Sequence, residues 1–425
     1  MNYNNFFARK ITDLKTEGRY RVFIDLKRKA GHYPTADYFS KHNQKPVTVW
    51  CSNDYLGMGQ NPQVIQAAKD AIDDVGVGSG GTRNISGTSR YHVTLEAEIA
   101  SLHQKESAIL FTSGYVSNSA GLSTIAGQLP NCQIFSDEKN HASMIEGIRF
   151  AKSAKHIFKH CDMRDLESKL SCFPIEVPKI IAVESIYSMD GSISPLYDIV
   201  ALARKYNALT YVDEVHAVGL YGNNGAGMLE QMGIMHEIDF IEATLAKGFG
   251  VVGGYIAGSK NAIDFIRSYA AGFIFTTSLP PAICAAAQKS IEFVRNCHSQ
   301  RELLHKQANY LRTKLRQHQF HVLENVTHIV PLMIGDPVIC KNISDILLSA
   351  YGHYAQPINY PTVPHGTERL RFTPSPNHTN AHIDSLVSAL CQIRDRIGYE
   401  AFDYQDPIVS SNTNSIEFTL TNEKT

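Results

Sequence analysis

The feature that most constrains the fold is an alternation of short apolar runs with helix-length segments. The apolar runs, rich in β-branched residues, are Ala108–Thr112, Gln133–Ser136, Ile180–Glu184 and Leu209–Asp213. Runs of this length, bounded by polar or glycine residues, are typical of buried parallel strands. We therefore predict an α/β fold built on a large domain with a mostly parallel sheet.

A helix is predicted where apolar residues recur at spacings of three and four. These residues are Val64, Ala67, Ala68, Ala71, Ile72 and Val75. They share one helical face, which we expect to pack on the sheet.

The chain divides into four predicted regions. We expect an amino-terminal arm over 1–45, the large domain over 46–285 and a smaller carboxy-terminal α/β domain over 286–400. Residues 401–425 lose apolar periodicity and gain Ser, Thr and Asn, which predicts a mobile polar tail.

Charge and cysteine content narrow the function classes. The 425 residues carry 40 Lys plus Arg against 41 Asp plus Glu, so neither a nucleic acid nor an anionic membrane is expected as a partner. We find no secretory signal and no apolar run of about 18 residues. The eight cysteines form no C-x-x-C pair, which predicts free thiols, no metal site and a cytoplasmic location.

The glycine-rich run Gly76–Gly81 matches G-x-G-x-x-G. As a dinucleotide fingerprint this pattern must follow a strand and open a helix. Here a predicted helix precedes it, so we interpret the run as a loop lining a site.

An acid and a lysine are the strongest candidates for chemistry. Asp213 ends an apolar run and His216 follows three residues later. Taken alone, Asp213 is equally consistent with a residue that caps a turn. Lys247, however, lies in an apolar, glycine-rich segment, where burying an ammonium group is costly and the neutral, nucleophilic amine is favoured.

Such a pair is what pyridoxal 5'-phosphate (PLP) requires, because a lysine binds the cofactor aldehyde and an acid protonates its ring nitrogen. A phosphate site is available at Ser113, Gly114 and Tyr115, where a helix is expected to begin. His141 can stack on the ring, and Arg371 can bind a carboxylate. Each has another interpretation: a simple turn, a surface histidine and a salt-bridged arginine.

Seven segments resemble the α-oxoamine synthase family over about residues 1–400. They are SNDYLGMG (52–59), GSGGTRNISGTSRYH (78–92), SDEKNHASMIEGIR (136–149), VDEVHAVGLYG (212–222), TLAKGFGVVGGYIAG (244–258), GFIFTTSLPP (272–281) and INYPTVPHGTERLRFTPSP (358–376). The resemblance implies a fold type I PLP-dependent transferase and a homodimer with shared active sites. It also implies condensation of an amino acid with an acyl-CoA, followed by decarboxylation.

Roles around the cofactor follow from the same resemblance. Lys247 is implied as Schiff-base lysine and general base, Asp213 as partner of the ring nitrogen and His216 as neighbour of the 3-hydroxyl group. His141 is implied to stack on the ring and handle protons, and Ser188 to hydrogen-bond nearby. The implied phosphate ligands are Thr244 of the same subunit, and Thr276 and Thr277 contributed across the dimer.

The resemblance also implies the substrates, glycine and succinyl-CoA. Asn53 and Arg371 match binders of the glycine carboxylate, and Thr82 matches a residue that crowds larger amino acids. Arg21 and Thr362 match residues that hold the succinyl carboxylate; taken alone, Arg21 is as readily a solvated arginine. Further substrate contacts are implied for Asn84, Ile85, Ser136 and Lys155.

Two alternative functions of the chain and two interpretations of one basic stretch stay open at this point. One is a sister synthase, such as 8-amino-7-oxononanoate synthase or 2-amino-3-oxobutyrate CoA ligase, and another is a non-catalytic partner subunit. The basic stretch of Arg149, Lys152, Lys155 and Lys159 fits either CoA phosphates or a solvated face.

Two departures from the family pattern are Gly248, expected to loosen the lysine loop, and His365, expected to alter a loop over the site.

Overall fold

The computed structural model describes residues 1–40 and 43–404. In chain order its helices are α1 (Tyr3–Thr16), α2 (Pro62–Val75), α3 (Arg90–Leu102), α4 (Gly114–Gln128), α5 (Ala142–Ala151), α6 (Met163–Leu170), α7 (Leu196–Tyr206), α8 (Met228–Gln231), α9 (Lys260–Tyr269), α10 (Ala271–Ile274), α11 (Pro281–Arg295), α12 (His298–Gln317), α13 (Pro337–Tyr351) and α14 (Asn380–Ile397).

The strands follow the same numbering along the chain. They are β1 (Asp25–Arg28), β2 (Thr35–Ser40), β3 (Asn43–Val49), β4 (Ser107–Phe111), β5 (Gln133–Asp137), β6 (Ala154–Phe158), β7 (Lys179–Glu184), β8 (Ala208–Asp213), β9 (Phe240–Thr244), β10 (Gly254–Gly258), β11 (Val330–Met333), β12 (His353–Tyr354), β13 (Pro357–Ile358) and β14 (Arg369–Phe372). Short 3-10 helices lie at Met58–Gln60, Met235–Glu237 and Tyr399–Phe402.

The chain forms two compact units. The large unit comprises Asn53–Ser188 and Ser192–Leu304, and the small unit comprises the described residues of Met1–Ser52, Met189–Gly191 and 305–404. The four regions expected from the sequence stay predictions, although residue 285, their second boundary, lies inside α11. From residue 405 onward, the predicted tail lies outside the described residues.

The large unit is built on a seven-stranded sheet with the order β4-β10-β9-β8-β7-β5-β6. β10 is antiparallel to both β4 and β9, whereas β9, β8, β7, β5 and β6 pair in parallel. The predicted α/β fold with a mostly parallel sheet is therefore confirmed. The four apolar runs became β4, β5, β7 and β8, within one residue at each end.

The helix predicted around residue 70 is present as α2. Asn61 caps it by accepting a hydrogen bond from the Gln63 N–H, and Pro62 occupies its first turn, a position where a missing N–H costs nothing. Its packing differs from the expectation, because α2 contacts chiefly α11 and not the sheet. Ile72 and Val75, expected to be covered, are 41% and 48% exposed.

The small unit contains two sheets. One has the order β1-β2-β3-β12 and the other the order β11-β14-β13. Its apolar core is formed by side chains from β11, β14 and the long helices, including Leu311, Leu370, Phe372 and Leu390, together with Trp50, which follows β3. Among the described residues, no helix is long and apolar enough to cross a membrane.

Candidate active site

Three buried carboxyl groups lie side by side at the carboxyl edge of the large sheet. The register aligns Glu184 at the end of β7 with Asp213 at the end of β8. Asp213 in turn aligns with Glu242 on β9. All three side chains are buried. This is the edge of a parallel sheet where ligands bind in α/β proteins.

Asp213 is held by donors on both carboxylate oxygens. The Val215 N–H donates to Oδ1 at 2.7 Å, and Asn118 Nδ2 donates to Oδ2 at 2.7 Å. Asn118 is itself fixed on α4, since the Tyr211 hydroxyl donates to its Oδ1 and its Nδ2 also reaches Ser143 Oγ. Hydrogen bonds of this kind favour the ionised form of a carboxyl group.

Lys247 and His216, predicted to belong to one site, are in contact. Lys247 Nζ lies 2.7 Å from His216 Nε2, and His216 Nδ1 lies 2.8 Å from the hydroxyl of buried Tyr55. Because Lys247 Nζ donates to Nε2, the proton of the neutral imidazole is on Nδ1, and this N–H donates to the Tyr55 hydroxyl. The Tyr55 hydroxyl then donates to Asn53 Oδ1 at 3.4 Å. One chain of hydrogen bonds thus runs from the lysine to Asn53.

His141 occupies the amino-terminal cap of α5. Its Nδ1 lies 2.8 Å from Ser143 Oγ, and its ring meets that of Tyr115 edge-on, with centroids 6.3 Å apart. Its backbone N–H donates to Glu184. Desolvation lowers the pKa of His141, Asp213 opposes this, and Lys247 adds to it. Desolvation and Lys247 thus favour the neutral form of the imidazole.

A cradle for a phosphate group lies between the start of α4 and the end of β9. Ser113 caps α4 by accepting from the Val116 N–H, so the first N–H groups of the helix point outward. A Cβ at Gly114 would lie 3.1 Å from Thr244 Cβ, so only glycine lets these elements approach so closely. Helix amino termini bind phosphate, and these residues fit the phosphate end of PLP.

Two loops that the sequence singled out are joined in the large unit. Thr82 forms an isolated β-bridge with Thr277, and Thr82 Oγ1 donates to Asn84 Oδ1 at 2.7 Å. Thr276 precedes this bridge in the same loop. Ile85 and Phe275, from the two loops, are 78% and 81% exposed. Each of the joined loops therefore exposes one large apolar side chain.

Other predicted residues of the large unit lie away from these contacts or at its surface. Ser136 is buried on β5 and accepts from Asn140 Nδ2 at 2.9 Å. Ser188 is half-buried in the turn after β7. The basic residues Arg149, Lys152, Lys155 and Lys159 are exposed. Exposure of this stretch does not choose between CoA phosphates and a solvated face.

The remaining predicted residues belong to the small unit. Arg21 Nη2 donates to Thr362 Oγ1 at 3.0 Å, which joins the two residues matched to succinyl binding. Arg371 is buried on β14. His365 stacks on Tyr360, with ring centroids 4.2 Å apart.

The effect expected of Gly248 is wrong. A Cβ at this position would lie 2.2 Å from the Val218 carbonyl oxygen. The glycine thus allows the turn at Val218 to pack directly against the residue after Lys247. It tightens the lysine loop where loosening was expected.

Five polar residues of the site were missed by sequence reasoning: Tyr55, Asn118, Ser143, Glu184 and Glu242. Tyr55 and Ser143 lie inside the resembling segments, and Glu184 ends an apolar run just as Asp213 does. These signals were available. Asn118 and Glu242 gave none, because their contacts depend on the packing of α4 on β8 and β9.

Comparison with known proteins identifies the family. Residues 45–390 match the model of aminotransferase class I and II. The 5-aminolevulinate synthase of Rhizobium meliloti is 55% identical over 92% of this chain and 96% of its own length. That of Rhodobacter capsulatus is 52% identical over 92% and 96%. The erythroid-specific mitochondrial enzyme of Bos taurus is 46% identical over 99% of this chain and 72% of its own length.

Solved structures agree on the fold and the cofactor. Serine palmitoyltransferase from S. paucimobilis with a bound PLP–myriocin aldimine superimposes with a TM-score of 0.86 at 30% identity, covering 92% of this chain and 98% of its own. The 8-amino-7-oxononanoate synthase of Francisella tularensis gives 0.71 at 24% identity and shows the fold alone. The sister synthases and the non-catalytic subunit are not favoured by the relatives above. The chain belongs to the aminotransferase class I and II family of PLP-dependent enzymes and, within it, to the 5-aminolevulinate synthases.

Proposed function

We propose that this enzyme condenses glycine with succinyl-CoA to 5-aminolevulinate, CoA and carbon dioxide, the first step of tetrapyrrole and haem synthesis. The observation that carries the proposal is the contact of Lys247 Nζ with His216 Nε2 at 2.7 Å, in a unit whose sheet edge buries the Asp213 carboxylate.

The cofactor supplies one part of the chemistry: PLP, when bound, provides an electron-accepting ring that stabilises negative charge at the substrate carbon. Lys247 Nζ would hold the cofactor through its aldehyde and, once released from it, would take a proton from glycine Cα and later return one. Asp213 would accept a hydrogen bond from the ring nitrogen of the cofactor. His216 orients Nζ, since Tyr55 holds the other side of its imidazole.

The other roles extend to phosphate and substrate. The amino terminus of α4, with Ser113, Gly114 and Tyr115, binds the cofactor phosphate together with Thr244. His141 stacks on the ring. In the small unit, Arg371 binds the glycine carboxylate. Arg21 with Thr362 binds the succinyl carboxylate.

We further propose a homodimer in which Thr276 and Thr277 reach the phosphate of the neighbouring site. Support comes from the exposure of Ile85 and Phe275 beside the Thr82–Thr277 bridge, because apolar patches of this kind mark protein interfaces. Dilution below the dimer dissociation constant should then release PLP. Sedimentation velocity combined with absorbance measures both.

A cytoplasmic location is proposed from the cysteines. All eight are free thiols, which suits a reducing compartment.

The choice of acyl donor tests the proposed reaction. Initial rates with glycine and succinyl-, acetyl- or pimeloyl-CoA should be highest with the succinyl thioester, because a charged carboxylate pairs with Arg21. Formation of the aminoketone product and release of CoA provide the readout. Preference for acetyl-CoA would overturn the succinyl assignment while leaving the family intact.

A further inference from the structure

One oxygen atom in the row of three buried carboxyl groups serves none of the proposed roles. Glu242 is fully buried, and Ser117 Oγ donates to its Oε1 at 2.5 Å. Among the described residues, Glu242 Oε2 is a buried oxygen without a hydrogen-bond partner. An ionised carboxylate with one unpaired oxygen is expensive to bury. A carboxylic acid, in contrast, has a proton to donate from that oxygen.

The neighbour that can accept this proton is Asp213. The two residues are register partners on β8 and β9, so their side chains leave the same face of the sheet next to each other. Two carboxylates can only accept, so a hydrogen bond between them needs a proton on one of them.

The donors around each group decide which of the two carries it. Asp213 already accepts from Asn118 Nδ2 and the Val215 N–H, both at 2.7 Å. Glu242 accepts from the Ser117 hydroxyl on Oε1, and its Oε2 has no donor among the described residues. The better-solvated group keeps the charge. The proton therefore belongs to Glu242.

Other charged groups near the row act in a consistent way. Burial first, and then the charge of Asp213, raises the pKa of Glu242 well above its ordinary value. Glu184, on the other side of Asp213, has its pKa raised by the same two causes. Lys247 opposes both shifts. Burial and the neighbouring Asp213 thus both favour the protonated form of Glu242 and of Glu184.

We propose that Glu242 is a positioning residue that remains protonated, donates a hydrogen bond to Asp213 and accepts one from Ser117. The carboxylate of Asp213 is then held by α4 through Asn118 and by β9 through Glu242. The inference rests on the proposed role of Asp213 at the ring nitrogen. It adds a group that stabilises the charge which Asp213 offers to the cofactor.

Two substitutions separate this role from simple packing. Glu242→Gln keeps an acceptor for Ser117 and an N–H donor for Asp213, whereas Glu242→Leu removes both. We expect Glu242→Leu to weaken PLP binding by the apoprotein about ten-fold or more, the loss for one charge-assisted hydrogen bond. It should also shift the pH midpoint of the visible absorption band of the holoenzyme. Glu242→Gln should stay within about three-fold, with no shift.

Glu96→Gln is the matched control. Glu96 is another buried acid of the large unit, but it is an ion-pair partner of Arg83, at 2.7 Å and 2.9 Å. Infrared difference spectra of the holoenzymes should show that Glu242→Gln removes the carbonyl band of a protonated carboxylic acid. Glu96→Gln should leave that band in place.

The outcomes distinguish the two levels of the argument. If Glu242→Gln removes no acid band, or if Glu242→Leu matches the wild type in PLP affinity and pH midpoint, the inference fails. Asp213→Asn tests the underlying role separately. A change with Asp213→Asn but none with Glu242→Leu refutes only the inference, and no change with Asp213→Asn refutes the role of Asp213 itself.

Discussion

Asp213 in the large unit and His378 in the small unit show two ways of burying an ionisable group. At the sheet edge of the large unit, Asp213 is a buried anion surrounded by donors and neighbouring acids. In the small unit, His378 is fully buried beside Trp50 as a neutral ring, accepting from the Ser375 N–H at 2.9 Å. Its exposed pair, Arg21 with Thr362, is in contrast open to solvent.

This difference separates chemistry from selection. The groups proposed to hold or move protons belong to the large unit, where hydrogen bonds fix Asp213, His216 and Lys247. The exposed arginine of the small unit can contact a substrate but cannot tune a proton transfer. Changes in the large unit should therefore abolish turnover or alter its pH dependence, and changes at Arg21 should alter preference among acyl donors.

The largest effect is expected from Lys247→Ala. It removes the amine that we propose as base and cofactor ligand, so turnover should fall by more than about a thousand-fold. The fold should survive, because the substitution leaves the close packing of Gly248 against Val218 in place. Product formation and circular dichroism test these points. Lys205→Ala, an exposed lysine of α7, is the control, and substantial residual activity in Lys247→Ala would show that another base operates.

His378 should dominate the acid sensitivity of the small unit. Burial lowers the pKa of His378 from 6.5 to about 3, so the unfolded chain takes up a proton that the native ring refuses. Its stabilising contribution is complete above about pH 6.5 and is lost at about 1.4 kcal/mol per pH unit as the pH falls toward 3. Urea unfolding of His378→Gln at several pH values should lack that part of the slope. Exposed His365→Gln should retain it, and equal slopes in all three proteins would contradict the assignment.

The buried carboxyl group of Glu214 predicts the opposite pH dependence of stability for the large unit. Burial raises the pKa of Glu214 from 4.5 to about 7, although Ser185 Oγ donates to it at 2.7 Å. Between these values the unfolded chain releases a proton that the native chain keeps. Stability should then fall by about 1.4 kcal/mol per pH unit as the pH rises from about 4.5 to 7, and level off above.

Glu214→Gln should remove that decline. Exposed Glu176→Gln serves as the control and should keep it. If the free energy of unfolding of Glu214→Gln, measured over the same pH range, followed the wild-type curve, the raised pKa would be refuted.

The sequence predicted the elements and the reacting groups more fully than their supports. Apolar runs placed four strands within one residue, because buried strands need continuous apolar residues. Asp213, His216 and Lys247 were found because a lysine in an apolar segment and an acid at a strand end are locally unusual. Asn118 and Glu242 were not, since only the packing of α4 on adjacent strands brings an amide or an acid to Asp213. The packing of α2 was also mispredicted, because apolar spacing defines a buried face but not its partner.

Arg21→Leu gives the smallest expected effect and tests the selective side of the comparison. A charge-assisted hydrogen bond to the succinyl carboxylate is worth about 1.5–3 kcal/mol, so kcat/KM for succinyl-CoA should fall roughly ten- to a hundred-fold. The acetyl group of acetyl-CoA has no carboxylate that could pair with Arg21. The rate with acetyl-CoA should therefore stay unchanged, and PLP affinity should match the wild type. Arg28→Leu, an exposed arginine on β1 of the same unit, controls for a general loss of positive charge. An unchanged ratio of succinyl-CoA to acetyl-CoA use would remove Arg21 from substrate selection, and a loss of PLP binding would mean that the small unit takes part in the chemistry as well.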